Sequence, residues 1–199
     1  RNHKGELLSF RYSPSYMVDC PAEYTNYRTD IRFPFPTRYS SINLDGGNAV
    51  FSPSRKTVII SDRIFSENPE WNREALEKEL SKLLDARIIF IESLSSDFTG
   101  HADGMVRFLS EDTVLINKTS FKCGLEQRQS RALRELGFTV VEFPYFYSGD
   151  ISAVGSYLNY LETPKHIFLP VFGISTDANA LKEASCLFRK GIVPVLLSA

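Results

Sequence analysis

The sequence is poor in the residues that would betray its chemistry most directly. It has three cysteines in 199 residues, Cys20, Cys123 and Cys186, an odd number at wide spacing. With no C-x-x-C pair among them, a cysteine-ligated zinc site and a dithiol redox motif are both excluded, and a disulfide framework has no support. Their scarcity fits a reducing, cytoplasmic setting and leaves secretion open. Net charge is also lacking: 23 basic against 24 acidic residues give −1. A chain so balanced carries no electrostatic footprint for nucleic acid. No apolar run is long enough to span a bilayer and no secretory core segment is visible, so neither nucleic acid nor membrane is an expected partner. Position 1 is Arg rather than Met. The chain opens at Arg1 and closes at Ala199, directly after an apolar strand, which suggests a piece of a longer protein.

What is present is ordinary for a globular domain, 43% hydrophobic and 24% charged, and reads as one domain. Glu6–Tyr12 reads as a strand. A long irregular stretch from Ser13 to about Arg38 follows, where Pro14, Pro21, Pro34 and Pro36 discourage a continuous helix. Tyr24, Tyr27, Phe33, Phe35 and Tyr39 make this stretch aromatic, as packing beneath a loop or as a lid over a substrate. Ser41–Leu44 reads as a short strand.

A pattern then recurs. Asn48–Phe51 and Lys56–Ser61 are strand candidates around a turn at Pro53-Ser54. Asn68 followed by Pro69 predicts a helix start, and the helix runs to Leu84 with Leu76, Leu80, Leu83 and Leu84 on one face. Arg87–Ile91 is an apolar strand. The second unit has strands at Met105–Leu109 and Thr113–Ile116, a helix at Leu125–Leu136 stopped by Gly137, and a strand at Phe138–Phe143. The third has strands at Ser156–Leu161 and His166–Val171, a helix at Asp177–Arg189, and a strand at Ile192–Leu197. The approximate repeats are residues 48–92, 104–143 and 155–198, a spacing of roughly 55 residues. The fold class is therefore α/β, built of strand–strand–helix–strand repeats that stack radially or in an open row.

Two loops lead into equivalent first strands. One is Asp45-Gly46-Gly47-Asn48, the other Gly100-His101-Ala102-Asp103-Gly104. Were the second loop extended, His101 and Asp103 would point to one side. In a radial stack the two loops converge, bringing Asp45, His101 and Asp103 to one pocket. Two carboxylates and an imidazole suit a flat guanidinium, which offers fixed N–H donors, with His101 moving a proton. The same residue types also suit a metal, and residues alone leave both open, as they leave open a purely structural turn at each loop. Arg107, on the strand after the second loop, reads as a partner in a local ion pair or as a ligand for a substrate carboxylate.

These two motifs, with Met105-Val106-Arg107-Phe108 after the second and the stretches Ser156–Leu161 and Leu169–Gly173, resemble the agmatine deiminase and bacterial-type peptidylarginine deiminase family, guanidino-group-modifying enzymes of the pentein fold. The resemblance implies a pentein-type α/β propeller of five ββαβ blades, of which this chain holds about three and part of another. It implies hydrolysis of a small-molecule or peptide guanidinium to a ureido group and ammonia through a covalent thiol intermediate, with no cofactor and no metal. His101 would be the catalytic acid and base, and Asp103 a catalytic and guanidinium-binding carboxylate. Asp45, Asn48 and Arg107 would bind substrate, Asp45 standing where the family often has glutamate. The family's nucleophilic cysteine and first catalytic aspartate would lie beyond Ala199 and before Arg1, so the chain alone is expected to be inactive. Cys186 reads as a buried structural thiol and Cys123, ahead of a helix, as structural, while Cys20 lies in the irregular stretch with no visible basic partner. An amidinotransferase, a non-catalytic module of the same fold and a metallohydrolase are the competing readings.

Overall fold

A computed structural model of the chain describes residues 1–17, 19, 35–94, 97–118, 124–146 and 154–197. It divides into two compact units, Arg1–Ala102 and Asp103–Ala199. Most of the proline- and aromatic-rich stretch, with its lid reading and Cys20, lies outside the described residues, as do Cys123 and residues 149–153 of the loop that enters the third repeat.

In the first unit, strands β1 (Leu7–Arg11) and β2 (Thr37–Asn43) form a parallel pair. A three-stranded sheet follows. Strand β3 (Val50–Phe51) pairs antiparallel with β4 (Thr57–Ser61), which pairs parallel with β5 (Arg87–Ile91). A parallel neighbour needs a crossover. This one carries a single-turn helix α1 (Arg63–Ser66) and helix α2 (Arg73–Leu84). Central strand β4 reads Thr-Val-Ile-Ile-Ser and is buried along nearly its whole length, as a strand covered on both faces must be. Leu76, Leu80, Leu83 and Leu84 recur at i, i+4, i+7 and i+8. That apolar stripe packs on Val58, Ile60 and Ile88.

The start of α2 differs from the sequence expectation. Asn72, not Asn68, is the cap, its Oδ1 accepting from Ala75 N–H at 2.8 Å. Asn68 is fully buried, and its side-chain amide bridges both backbone groups of Asn43 and the carbonyl of Ile64. Closing the end of β2 takes precedence over capping. Helix α2 ends at Asp85, which adopts the left-handed region at φ 52°.

The second unit holds two sheets of the same order. Strands β6 (Val106–Phe108), β7 (Thr113–Asn117) and β8 (Thr139–Phe143) form one, with helix α3 (Leu125–Glu135) crossing between β7 and β8. Strands β9 (Leu161–Glu162), β10 (His166–Val171) and β11 (Gly191–Leu196) form the other, crossed by helix α4 (Asp177–Leu187). The long strand expected over Ser156–Leu161 is reduced to Leu161–Glu162. Tyr157, Leu158 and Tyr160 are instead turned into the core formed by Phe143, Leu169, Ala180, Ala184 and Phe188. Burying three large side chains in four residues is incompatible with alternating faces. On α4 the buried residues are Ala180 and Ala184, one turn apart. Cys186 lies two positions beyond, on the opposite face, and is exposed rather than buried. No helix among the described residues is long and apolar enough to cross a membrane.

Candidate active site around Asp45 and His101

The loop before β3 folds as a 3-10 turn at Gly46–Asn48, and the loop before β6 as another at Ala102–Gly104. The second is therefore not extended, and the same-side argument for His101 and Asp103 does not apply. The reason lies in Asn48 and Ser61. Asn48 is buried, and its Oδ1 accepts from the backbone N–H of Ser61 at 2.9 Å and of Ala102 at 3.2 Å. The Ser61 hydroxyl, at the end of β4, donates to the Gly100 carbonyl at 2.6 Å. Gly100 has φ 61°, the left-handed region that glycine adopts without strain. Pinned at both Gly100 and Ala102, the chain bends and turns His101 toward Asp45.

His101 Nε2 lies 3.0 Å from Asp45 Oδ2, and both side chains are largely buried, at 15% and 19% exposure. A carboxylate only accepts, so Nε2 carries the hydrogen and Nδ1 is the nitrogen through which neutral His101 can take a proton. The Tyr16 hydroxyl donates a short hydrogen bond to the same oxygen. Burial pushes the Asp45 carboxyl up, but hydrogen bonds from His101 and Tyr16, the His101 charge and the Gly46 backbone outweigh it and hold the group below its usual value. Burial and the Asp45 hydrogen bond raise the Tyr16 phenol, keeping it a donor. Its ring leans on Phe98 at 5.2 Å and meets His101 edge-on at 5.9 Å.

Below this pair lies a fixed ion-pair cluster. Glu67 accepts from Arg63 Nε at 3.0 Å, from the Ser15 hydroxyl at 2.6 Å and backbone N–H at 2.9 Å, and from Asn43 Nδ2 at 3.2 Å. Those bonds set the Ser15–Met17 turn that carries Tyr16. The cleft is bordered by Tyr16, Asp45, Arg63, Glu67, Thr99 and His101, and its free volume is about 10 Å³, on the order of one water molecule.

Of the residues singled out from the sequence, the structure thus brings Asp45 and His101 together. Asn48 is beside them, its oxygen committed to the backbone. Asp103 is half-buried in the Ala102–Gly104 turn and belongs to the second unit. Among the described residues, Arg107 makes other contacts than the expected local ion pair. Its Nη1 donates to the Leu158 carbonyl at 3.1 Å and its guanidinium sits 3.8 Å over the Tyr160 ring, which satisfies its charge with a dipole and a π-face. Tyr16, Glu67 and Arg63 were missed. Tyr16 stands 29 positions from Asp45, in a segment without periodicity, and no sequence spacing announces that contact. Among the described residues, no group of three or more His, Cys, Asp or Glu side chains is placed to hold a metal ion.

Comparison with known proteins gives this geometry a context. No curated protein matches the chain. Solved structures do. The C. jejuni agmatine deiminase superposes with a TM-score of 0.72 at 17% identity, covering 96% of this chain and 62% of that one. The agmatine deiminase of Enterococcus faecalis gives 0.65 at 22% identity, over 80% of this chain and 54% of that one. At such identities the likeness is one of fold, an α/β architecture of small sheets shared with pentein-fold deiminases. The chain spans less than two thirds of the length of either. The family profile named Porphyromonas-type peptidyl-arginine deiminase matches residues 28–198. Since that match takes in both loops and all three of the three-stranded sheets, the chain belongs to the Porphyromonas-type peptidyl-arginine deiminase family.

Proposed function

We propose that this chain supplies the carboxylate–imidazole part of a site that hydrolyses a guanidinium group to a ureido group and ammonia, within a longer protein. The observation that carries the reading is the buried Asp45–His101 pair in a chain of this family. Asp45 receives guanidinium N–H donors. A cysteine thiolate attacks the guanidinium carbon, and the C–N bond breaks as ammonia leaves with a proton from His101. Water then adds to the thiouronium carbon and gives a proton back to His101. The C–S bond breaks as the hydroxyl proton is lost to solvent, returning the thiolate and releasing the ureido product, with His101 left protonated for the next turnover. A substrate-bound structure of the C. jejuni agmatine deiminase carries a cysteine-to-serine change, which supports the thiol route.

Asp103 completes the guanidinium grip in this reading, and Asn48 acts by fixing the two loops rather than by touching substrate. Arg107, held by Leu158 and Tyr160, shapes the start of the second unit's sheet. The three sheets are blades of a pentein-type propeller, with repeats near residues 48–92, 104–143 and 155–198 in one domain. The substrate is a small-molecule or peptidyl guanidinium, no cofactor takes part, and the setting is cytoplasmic.

In this reading the thiol is not Cys186, the free cysteine among the described residues, which is exposed on α4. Incubating the 199-residue chain with agmatine, arginine and an arginyl peptide tests this. No ureido product is expected from the chain alone, and product is expected from the longer protein, with loss of at least a thousandfold on His101→Ala. Turnover by the chain alone assigns the thiol to one of its three cysteines and overturns the proposal that it lies elsewhere.

A further inference from the structure

Asp45 Oδ2 accepts two hydrogen bonds, from His101 Nε2 and from the Tyr16 hydroxyl. A carboxylate oxygen has two in-plane lone pairs, so this one is fully occupied. A guanidinium that grips a carboxylate does so with two parallel N–H donors, one on each oxygen. Oδ1 can take the first. The second needs a lone pair on Oδ2, which requires one of the two present donors to leave.

Which donor yields is a question of strength. Tyr16 offers a neutral hydroxyl, and a charged N–H donor binds a carboxylate about twice as strongly as a neutral one. His101 is held from behind by its own short turn, pinned at Gly100 and Ala102 through Ser61 and Asn48. Tyr16 is anchored one residue earlier, where Glu67 takes both polar groups of Ser15. Rotation of the Tyr16 side chain therefore leaves that anchor intact and needs no refolding of the Ser15–Met17 turn.

We propose that Tyr16 is a specificity-determining residue of this site. Its hydroxyl stands in for one guanidinium N–H on Asp45, and a flat cation with two adjacent N–H donors binds by displacing it. A single ammonium, which reaches Oδ1 alone, gains no fork and leaves the phenol in place. The phenol thus weakens the binding of guanidinium and amidinium groups, which must displace it, and leaves that of simple amines at Oδ1 unchanged. The inference rests on Asp45 being the cation ligand of the proposed reaction.

Calorimetric titration of the full 199-residue chain with methylguanidinium and with methylammonium tests it. Tyr16→Phe keeps the ring on Phe98 and removes only the hydroxyl. This variant is expected to bind methylguanidinium about tenfold more tightly and methylammonium with unchanged affinity, so that discrimination between the two rises. Asp45→Asn is expected to abolish binding. In the wild-type chain labelled with 13Cζ-tyrosine, the Tyr16 signal, assigned through its absence in Tyr16→Phe, is expected to move on saturation with methylguanidinium. This second measurement needs no altered protein to bind. If Asp45→Asn abolishes binding while Tyr16→Phe binds as the wild type does, or the Tyr16 signal does not move, the displacement proposal is wrong and the reading of Asp45 stands. If the wild type does not bind, or Asp45→Asn binds unchanged, both are wrong.

Discussion

Two aspartates in this chain share a motif and use it differently. Asp45, in the first unit, accepts from the Tyr16 hydroxyl. Asp177, in the second, accepts from the Tyr157 hydroxyl at 2.7 Å. Burial raises both carboxyls, and hydrogen bonds bring both back below the usual range. The remaining partners separate them. Asp177 collects backbone N–H groups: Phe172 at 3.1 Å, Gly173 at 2.7 Å and Ile174 at 3.0 Å. It thereby ties the end of β10 to the first turn of α4. Asp45 collects a second titratable side chain, His101, and its help from the main chain comes from Gly46. A carboxylate whose bonds go to the backbone fixes the chain. One whose bonds go to side chains remains available to exchange partners. The same Tyr–Asp contact is thus architecture in one place and a candidate for chemistry in the other.

The largest way to sharpen this contrast is Asp177→Asn. It removes the charge and turns a donor group toward backbone donors. Charge-assisted hydrogen bonds contribute about 1.5–3 kcal/mol each, but shared acceptors are not additive. A loss of about 3 kcal/mol in urea unfolding is expected, with cation binding at Asp45 unchanged. Acid gives the same test without mutation. The folded Asp177 carboxyl titrates below its ordinary 3.8, so its contribution is complete above that pH and is lost as pH falls through the folded value. Stability of the wild type should drop below about pH 4, and the drop should be shallower in Asp177→Asn. Equal slopes would show that Asp177 is not the group that senses acid.

A smaller effect is expected at the partner tyrosine. Tyr157 is fully buried and packs edge-on against Phe172 at 5.5 Å. Tyr157→Phe keeps that packing and loses one hydrogen bond to a charged acceptor whose other bonds persist. A loss of about 1 kcal/mol is expected by urea unfolding. A loss as large as that of Asp177→Asn would mean that the hydroxyl, not the backbone grip, organises this corner.

How legible these differences were depends on range. The α2 stripe Leu76, Leu80, Leu83 and Leu84 is a local periodicity, and the residues expected to be buried are buried. β-branched runs such as Val58–Ile60 and Thr139–Val141 likewise announced strands. The cap of α2 was misplaced because Asn68 and Asn72 are equally good caps in isolation. Asn68 was claimed by Asn43, 25 positions away, a contact no window on the sequence contains. The convergence of Asp45 and His101 was readable because both loops precede equivalent strands. The extended form expected for His101–Asp103 was not realised, because Asn48, 54 positions away, bends the backbone at Ala102. Cys186 illustrates a coarser error. Its residue type suggested burial, whereas helical phase, set by Ala180 and Ala184, placed it outside.

The smallest stability effect is expected where the functional effect is greatest, and it breaks the comparison most cleanly. At Asp45 the cost of burying a charge opposes the hydrogen bonds from Tyr16 and His101. Replacing the carboxylate by an amide of the same shape relieves the first and weakens the second. Asp45→Asn should therefore change stability by no more than about 1 kcal/mol in either direction. It should nevertheless eliminate methylguanidinium binding, because a neutral amide offers a flat cation one acceptor and no charge. Paired unfolding and titration measurements on Asp45→Asn and Asp177→Asn would then give opposite profiles, function lost with fold kept in the first and fold weakened with binding kept in the second. Should Asp45→Asn instead unfold as readily as Asp177→Asn, the Asp45 carboxylate is a fastener like its counterpart, and the short contact with Tyr16 is part of the same structural role.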